Sequence, residues 1–206
     1  MGKDIPLEKI LAGDMIADPL SIYDCSLVSD GAVFVVLAAS EIAEKYQPKQ
    51  RIVDIVGSGH AGDALLVAAK KSLTSFSATK AAASQAYSQA DLRPADIDFA
   101  EVHDCFTITQ IINTEDLGFF EHGKGADAVN EGITARDGRM PINVSGGLKA
   151  KGHPIGATGL AQIYEVATQL RREAGSRQLH KANIGLTHNL GGAAATCLVH
   201  ILRGRG

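Results

Sequence analysis

Asn143-Val144-Ser145-Gly146-Gly147-Leu148-Lys149-Ala150-Lys151-Gly152-His153-Pro154-Ile155-Gly156-Ala157-Thr158-Gly159 is the stretch around which the chain is organised. A short β-prone run ends in paired glycines. A basic loop punctuated by glycine then presents one histidine, and a helix is expected directly after it. Pro154 suits a first helical turn, where its missing N–H has no intrahelical partner to lose. Downstream, Leu160, Ile163, Tyr164, Ala167 and Leu170 recur at helical spacing. His153 is therefore expected at the positive end of a helix dipole, which favours the neutral imidazole. Such a ring accepts a proton or, as the other tautomer, donates a hydrogen bond. Gly152 and Gly156 let backbone approach a ligand closely. A histidine between glycines is also an ordinary loop residue, so its weight depends on what accompanies it.

The 206 residues suffice for one well-buried domain and are few for two. Apolar content is 45%, and a net charge of −3 gives no electrostatic case for nucleic acid. Tryptophan is absent and aromatics make up 5%, so close packing through Ala and Gly is expected rather than a core of large rings. No apolar run reaches about 18 residues, and no membrane span is expected. The start, Met1 to Pro6, lacks the apolar segment of a signal peptide. The three cysteines, Cys25, Cys105 and Cys197, have neither zinc-type spacing nor a disulfide pattern. A soluble protein of the reducing cytoplasm, without a metal, is the expectation.

Residues 1–30 read as an irregular lead-in, with at most a turn or two of helix at Leu7, Ile10 and Leu11. Ala32 to Ala38 is an unbroken apolar run, expected as a strand buried on both faces. Ser40 opens a short helix that Pro48 ends. Arg51 to Gly57 alternates as a second strand, and Gly57, Gly59 and Gly62 suggest a flexible loop after it. Ser77 or Thr79 starts a helix to about Ala90, whose Ala78, Ala81, Ala82 and Ala86 form a small-residue stripe for close packing. Phe99 to Val102 reads as a strand ending in His103-Asp104-Cys105-Phe106, followed by a helix from Thr107 to about Leu117. Residues 118–141 form a long polar excursion. Ala182 to Leu186 is a strand ending in Thr187-His188-Asn189-Leu190-Gly191-Gly192. A last strand runs from Ala193 to Leu202, with Arg203 to Gly206 as a solvated tail.

Functional groups at the carboxyl ends of strands occupy the usual site position in α/β sheets. Three such ends carry His103 and Cys105, His153, and His188 with Asn189 ahead of Gly191-Gly192. Neighbouring strands bring these loops together. Thiol and imidazole within hydrogen-bond reach make an activated thiol or a proton-transfer pair, and glycine N–H groups supply an oxyanion hole. Each group also has a plain structural alternative: Cys105 as a small buried hydrophobe, His103 as a helix cap, His188 as a satisfied loop histidine, Gly191-Gly192 as a hairpin.

Ser29-Asp30-Gly31-Ala32, His103-Asp104-Cys105-Phe106, Asn143 to Gly159 and His188 to Gly192, in that order, resemble the carboxyl half of the thiolase superfamily. The likeness is strongest to the sterol carrier protein thiolases and archaeal acetoacetyl-CoA thiolases, and it covers essentially the whole chain. It implies an α/β half-fold: a five-stranded mixed sheet with helices on both faces. Residues 1–30 would lead in from an amino-terminal half and 31–206 would form the carboxyl-terminal domain. By position, His153 matches the histidine that activates a nucleophilic cysteine. His103 matches an asparagine that holds an oxyanion-contacting water, and Cys105 matches the acid/base of this branch. Gly191 matches a glycine whose N–H faces an oxyanion, and Ser26 lies near a serine that contacts coenzyme A. Gly152 and Gly156 complete the expected substrate-binding set, with Asn189 and His188 beside Gly191.

Two departures qualify the implication. Ordinary thiolases carry a cysteine where this chain has Asn189, and the half bearing the nucleophile is expected outside these residues, as a segment of a longer protein or as a separate subunit. The resemblance thus implies an acyltransferase component that uses acyl-CoA as substrate, holds no covalent cofactor, and needs an amino-terminal half in a homo- or hetero-oligomer. The alternatives are a non-catalytic subunit of an acyl-CoA complex and a thiolase-like retro-aldolase component.

Overall fold

Residues 4–46 and 51–205 are described by the structure, a computed structural model. A short helix α1 (Leu7–Leu11) precedes a two-stranded antiparallel hairpin of β1 (Met15–Ala17) and β2 (Leu20–Ser21). After α2 (Ser40–Tyr46) come β3 (Val53–Gly62), α3 (Ser77–Ala90), β4 (Phe99–Glu101) and α4 (Thr107–Asp116). The excursion contains α5 (Gly125–Asn130), and the glycine-rich loop contains the single turn α6 (Gly147–Ala150). Helix α7 (Thr158–Leu170) then leads to β5 (Ile184–Gly191) and β6 (Thr196–Gly204).

The main sheet has four strands in the order β3-β6-β5-β4. β6 pairs antiparallel with both β3 and β5, and β4 pairs parallel with β5, so the sheet is mixed as expected. Among the described residues the sheet has four strands rather than five because Ala32 to Ala38 does not join it; beside β4 a single parallel bridge links Ala100 to Ile142. Strand alternation sends Ala100, Leu186, Val199 and Ile201 into a core under α3, and Phe99 and Leu202 into a second core under α7. The helices therefore cover both faces.

Gly57 and Gly59, expected in a flexible loop, lie inside β3. A Cβ at Gly59 would stand 1.9 Å from the Ala82 carbonyl oxygen, and one at Gly57 2.3 Å from that of Ala86. The α3 backbone rests directly on the strand, which only side chains of zero size allow. Ala78, Ala82 and Ala86 are fully buried at this contact; Ala83 joins them, while Ala81 faces outward.

Helix α7 buries a polar face. Gln162, Glu165 and Gln169 lie beneath it with Val166 and Leu170, whereas Leu160 and Tyr164 are exposed. Each buried polar group is satisfied: Gln162 Nε2 donates to the His188 carbonyl at 3.0 Å, Glu165 pairs with Arg177 at 2.8 Å, and Gln169 Oε1 accepts the Leu179 N–H at 3.0 Å.

Ala32 to Ala38 departs most from expectation. It is no strand, and among the described residues no ladder pairs it; Phe34 is 90%, Val36 92% and Leu37 75% exposed. Nor are Arg203 and Gly204 a tail: they end β6, and the Arg205 guanidinium binds Asp54 and Glu44. Pro48, expected to end α2, lies outside the described residues.

The α3–β3 contact yields a stability test. Gly59→Ala should cost at least about 2 kcal/mol by urea unfolding at unchanged m-value, whereas Gly62→Ala, with only an ordinary contact at 3.6 Å, should change stability by under about 0.5 kcal/mol.

Candidate active site

The parallel β4–β5 pairing ends at Glu101 and Thr187, and two residues further along each chain His103 lies beside Asn189. The Asn189 side-chain amide nitrogen stands 3.2 Å from His103 Nδ1, and it also donates to Gln162 Oε1 at 3.2 Å. Its neighbour His188 points to the other face of the sheet, where Nε2 meets Thr79 Oγ1 at 3.0 Å. His188 Nδ1 accepts the His103 backbone N–H at 3.5 Å. Adjacent residues of β5 thus hold His103 from two sides. The Asn113 amide adds a bond to the His103 carbonyl at 2.8 Å. Burial keeps both rings neutral, pushing His103 down to about 4 and His188 to about 3.

The His153 ring lies edge-on to that of His103, centroid to centroid 5.1 Å. Helix α7 starts at Thr158, after a turn in which the N–H groups of Ala157 and Thr158 donate to the Pro154 carbonyl. His153 is therefore not the helix start that the sequence suggests. Its side chain still reaches that start, with Nδ1 2.7 Å from Thr158 Oγ1. Partial burial lowers its pKa, so desolvation keeps the ring uncharged where a helix dipole was expected to do so.

A strap joins the two loops. The Ser26 N–H donates to the Cys105 carbonyl at 2.8 Å, and the His153 N–H donates to the Leu27 carbonyl at 3.1 Å. Bridges Cys25–Phe106 and Val28–His153 bracket it, three residues and about 10 Å of extended chain apart. Lys149 fastens its near end, donating to the carbonyls of Ile22 at 2.8 Å and Cys25 at 2.7 Å. The Thr107 hydroxyl donates to Asp24 at 2.8 Å. Gly152, at φ +105°, passes so close that a Cβ would stand 2.6 Å from Ser29 Oγ.

Cys105 is half-buried, and burial pushes its thiol up. Its sulfur lies 3.9 Å from Thr109 Oγ1, and among the described residues no hydrogen bond links it to His103 or His153. Gly191 ends β5, exposed and paired with Thr196, and Gly192 opens the turn to β6; Ser26 is half-buried on the strap, and Gly156 faces open space. An open cleft of about 440 Å³ runs between Ser29–Val33 and Pro154–Ala157; none of Cys105, His103 and His153 lines it. Beneath the loops, Glu101 accepts from the Ser145 N–H and hydroxyl, and burial pushes it up to about 7. Asp104 accepts the Leu148 N–H at 2.8 Å and so anchors α6.

Residues 59–204 match the family described as "Thiolase C-terminal domain-like". The chain belongs to that family. It is 47% identical over 197 residues to the acetyl-CoA acetyltransferase of Methanothermobacter thermautotrophicus, covering 96% of this chain and 51% of that protein. To the acetyl-CoA acetyltransferase of Methanocaldococcus jannaschii it is 40% identical, covering 96% and 52%. Human sterol carrier protein 2 is 40% identical over 188 residues, covering 90% and 34%. The chain thus spans about half the length of the archaeal relatives. A solved chain described as "Ltp2-ChsH2(DUF35) aldolase" superposes with a TM-score of 0.84 at 24% identity, over 97% of this chain and 51% of that one; that likeness shows the fold.

In this thiolase domain, sequence reading missed Thr158, Gln162, Thr79 and Lys149. Gln162 carries the one available signal, a polar residue four positions after Thr158 on the face of α7 turned away from Leu160 and Tyr164. Lys149 leaves none, because its partners are backbone carbonyls.

Two predictions follow from this geometry. Between pH 6.5 and about 4 the unfolded chain binds protons that His103 and His188 refuse, so their contribution to stability is lost as pH falls through that window. His103→Asn removes one of these groups, so by urea unfolding the stability of wild type relative to the variant should fall by about 2 kcal/mol from pH 7.5 to 4.5. Lys149→Met should speed amide exchange at Ser26 and His153, which carry the strap's bonds, while amides of β5 and β6 keep their protection.

Proposed function

We propose that this domain supplies the proton-handling half of a thiolase-type acyltransferase that acts on acyl-CoA thioesters, by Claisen condensation or by thiolytic cleavage of a 3-oxoacyl-CoA. The observation that carries this reading is the meeting of two loops at the end of β5: His103 is bonded to Asn189 of that strand and in edge contact with His153. The nucleophilic cysteine belongs to the amino-terminal half, whether that half is joined to this one or held beside it. A thiol raised by burial, as at Cys105, stays protonated at neutral pH; that suits a proton donor and not a nucleophile.

In cleavage, His153 takes the proton of the nucleophilic cysteine. The thiolate attacks the C3 carbonyl of the substrate, and the C2–C3 bond breaks with its electron pair leaving on acetyl-CoA. Cys105 gives its proton to that carbon; coenzyme A then yields its thiol proton to the Cys105 thiolate as its sulfur takes the acyl group, and the released cysteine thiolate recovers its proton from His153. His103 and the Gly191 N–H face the developing oxyanions. Ser26, Gly152 and Gly156 lie on the side where coenzyme A would pass, and Asn189 and His188 hold His103. The reaction uses no metal and takes place in the cytoplasm.

The other half is supported by the unpaired run of Ala32 to Ala38 and the exposed Leu160 and Tyr164. Apolar side chains exposed to this extent belong to an interface. On this division, residues 1–30 lead in from the other half and 31–206 form the domain.

Mixing the chain with the amino-terminal half of the Methanothermobacter relative should give coenzyme A-dependent cleavage of acetoacetyl-CoA. His153→Ala should preserve the complex and lower kcat at least about 100-fold. Phe34→Asp with Val36→Asp should weaken the complex at least about 10-fold. Undiminished turnover without His153 would overturn the catalytic reading. A stable complex inactive on thioester and aldol substrates alike would favour the non-catalytic subunit.

A further inference from the structure

His153 and His103 each touch one partner through Nδ1; Thr158, the partner of His153, is tied to a main-chain carbonyl directly, and Asn189, the partner of His103, through Gln162. Thr158 Oγ1 lies 2.7 Å from His153 Nδ1 and 3.1 Å from the Pro154 carbonyl oxygen. A carbonyl only accepts, and a hydroxyl has one proton. Both contacts are hydrogen bonds only if Thr158 donates to Pro154 and receives the Nδ1–H of His153. The same accounting runs through Gln162. Its amide nitrogen faces the His188 carbonyl at 3.0 Å, which leaves Oε1 as an acceptor for the Asn189 amide. Asn189 then directs its second N–H at His103 Nδ1, which must accept, so the His103 proton sits on Nε2.

We propose that Thr158 and Gln162, one helical turn apart on α7, are positioning residues that set the two histidines in opposite tautomers, leaving His153 Nε2 an open proton acceptor and His103 Nε2–H an open donor. Both are buried, at 1% exposure each, so water does not compete for these bonds. For a reaction that moves a proton and builds an oxyanion, this is the complementary pair that two neighbouring rings can offer. Only that consequence rests on the function proposed above; the tautomers stand on hydrogen-bond accounting alone.

Long-range proton–nitrogen correlation spectra of the full chain with 15N-labelled histidine, at pH 7.5, read each ring nitrogen as protonated or lone-pair type. Signals are assigned by their loss in His153→Asn and His103→Asn. The expected pattern is protonated Nδ1 with lone-pair Nε2 for His153, and the reverse for His103. Thr158→Val should move the His153 Nδ1 signal toward the lone-pair type, and Thr158→Ser should restore it. Gln162→Leu should mix the His103 tautomers and leave His153 unchanged. The same tautomer in both wild-type rings, or a lone pair on His153 Nδ1, overturns the proposal even where a variant fails to fold. Correct tautomers in a pair of halves without activity would instead count against the proposed function.

Discussion

Two backbone hydrogen bonds on one extended segment hold the candidate site together: Ser26 N–H to the Cys105 carbonyl and His153 N–H to the Leu27 carbonyl. Cys105 and His153 lie 48 positions apart in sequence on loops from different elements. The Ala100–Ile142 bridge and the Asp104–Leu148 bond bring the two loops alongside, and the strap sets their spacing, because a short extended run has nearly constant length. Lys149 and the Asp24–Thr107 pair prevent its near end from sliding, so the separation is set without any direct bond between the two side chains.

Electrostatically, burial biases the groups of the site toward their neutral forms. Burial depresses His103, His188 and His153 and raises Cys105, Glu101 and Asp104, so each shift moves toward the neutral form. A charged ring beside another charged ring at 5.1 Å would repel it, and neutrality removes that cost. Neutral imidazoles still need their ring nitrogens satisfied. The buried polar face of α7 meets that need with side chains anchored to main-chain carbonyls. The helix thereby gives up apolar burial on its inner face, while Leu160 and Tyr164 lie outward and exposed.

Much of this was legible in the sequence. The order of α3, β4 and α4, the placement of His103 and Cys105 at the end of β4, and the glycine-bounded loop around His153 follow from period and turn chemistry. Gly57 and Gly59 misled because a glycine needed for contact with a helix looks like one needed for a turn. Ala32 to Ala38 misled for a different reason: an apolar pattern says that a segment is to be buried, not which surface covers it. The start of α7 moved because Pro154 opens a separate turn. The roles of Thr158 and Gln162 depend on which carbonyls lie nearby, and no pattern of residue types encodes that.

Attaching a charge to Cys105 and watching the histidines tests most directly whether strap and sheet gather these groups into one site. With Cys25→Ser and Cys197 buried, carboxymethylation by iodoacetate places a carboxylate on Cys105 alone. A carboxylate within about 6 Å favours the imidazolium form. The NMR titrations of His103 and His153 should then both move to higher pH by about half a unit or more. Unchanged titration of His153 after complete modification would contradict a shared site.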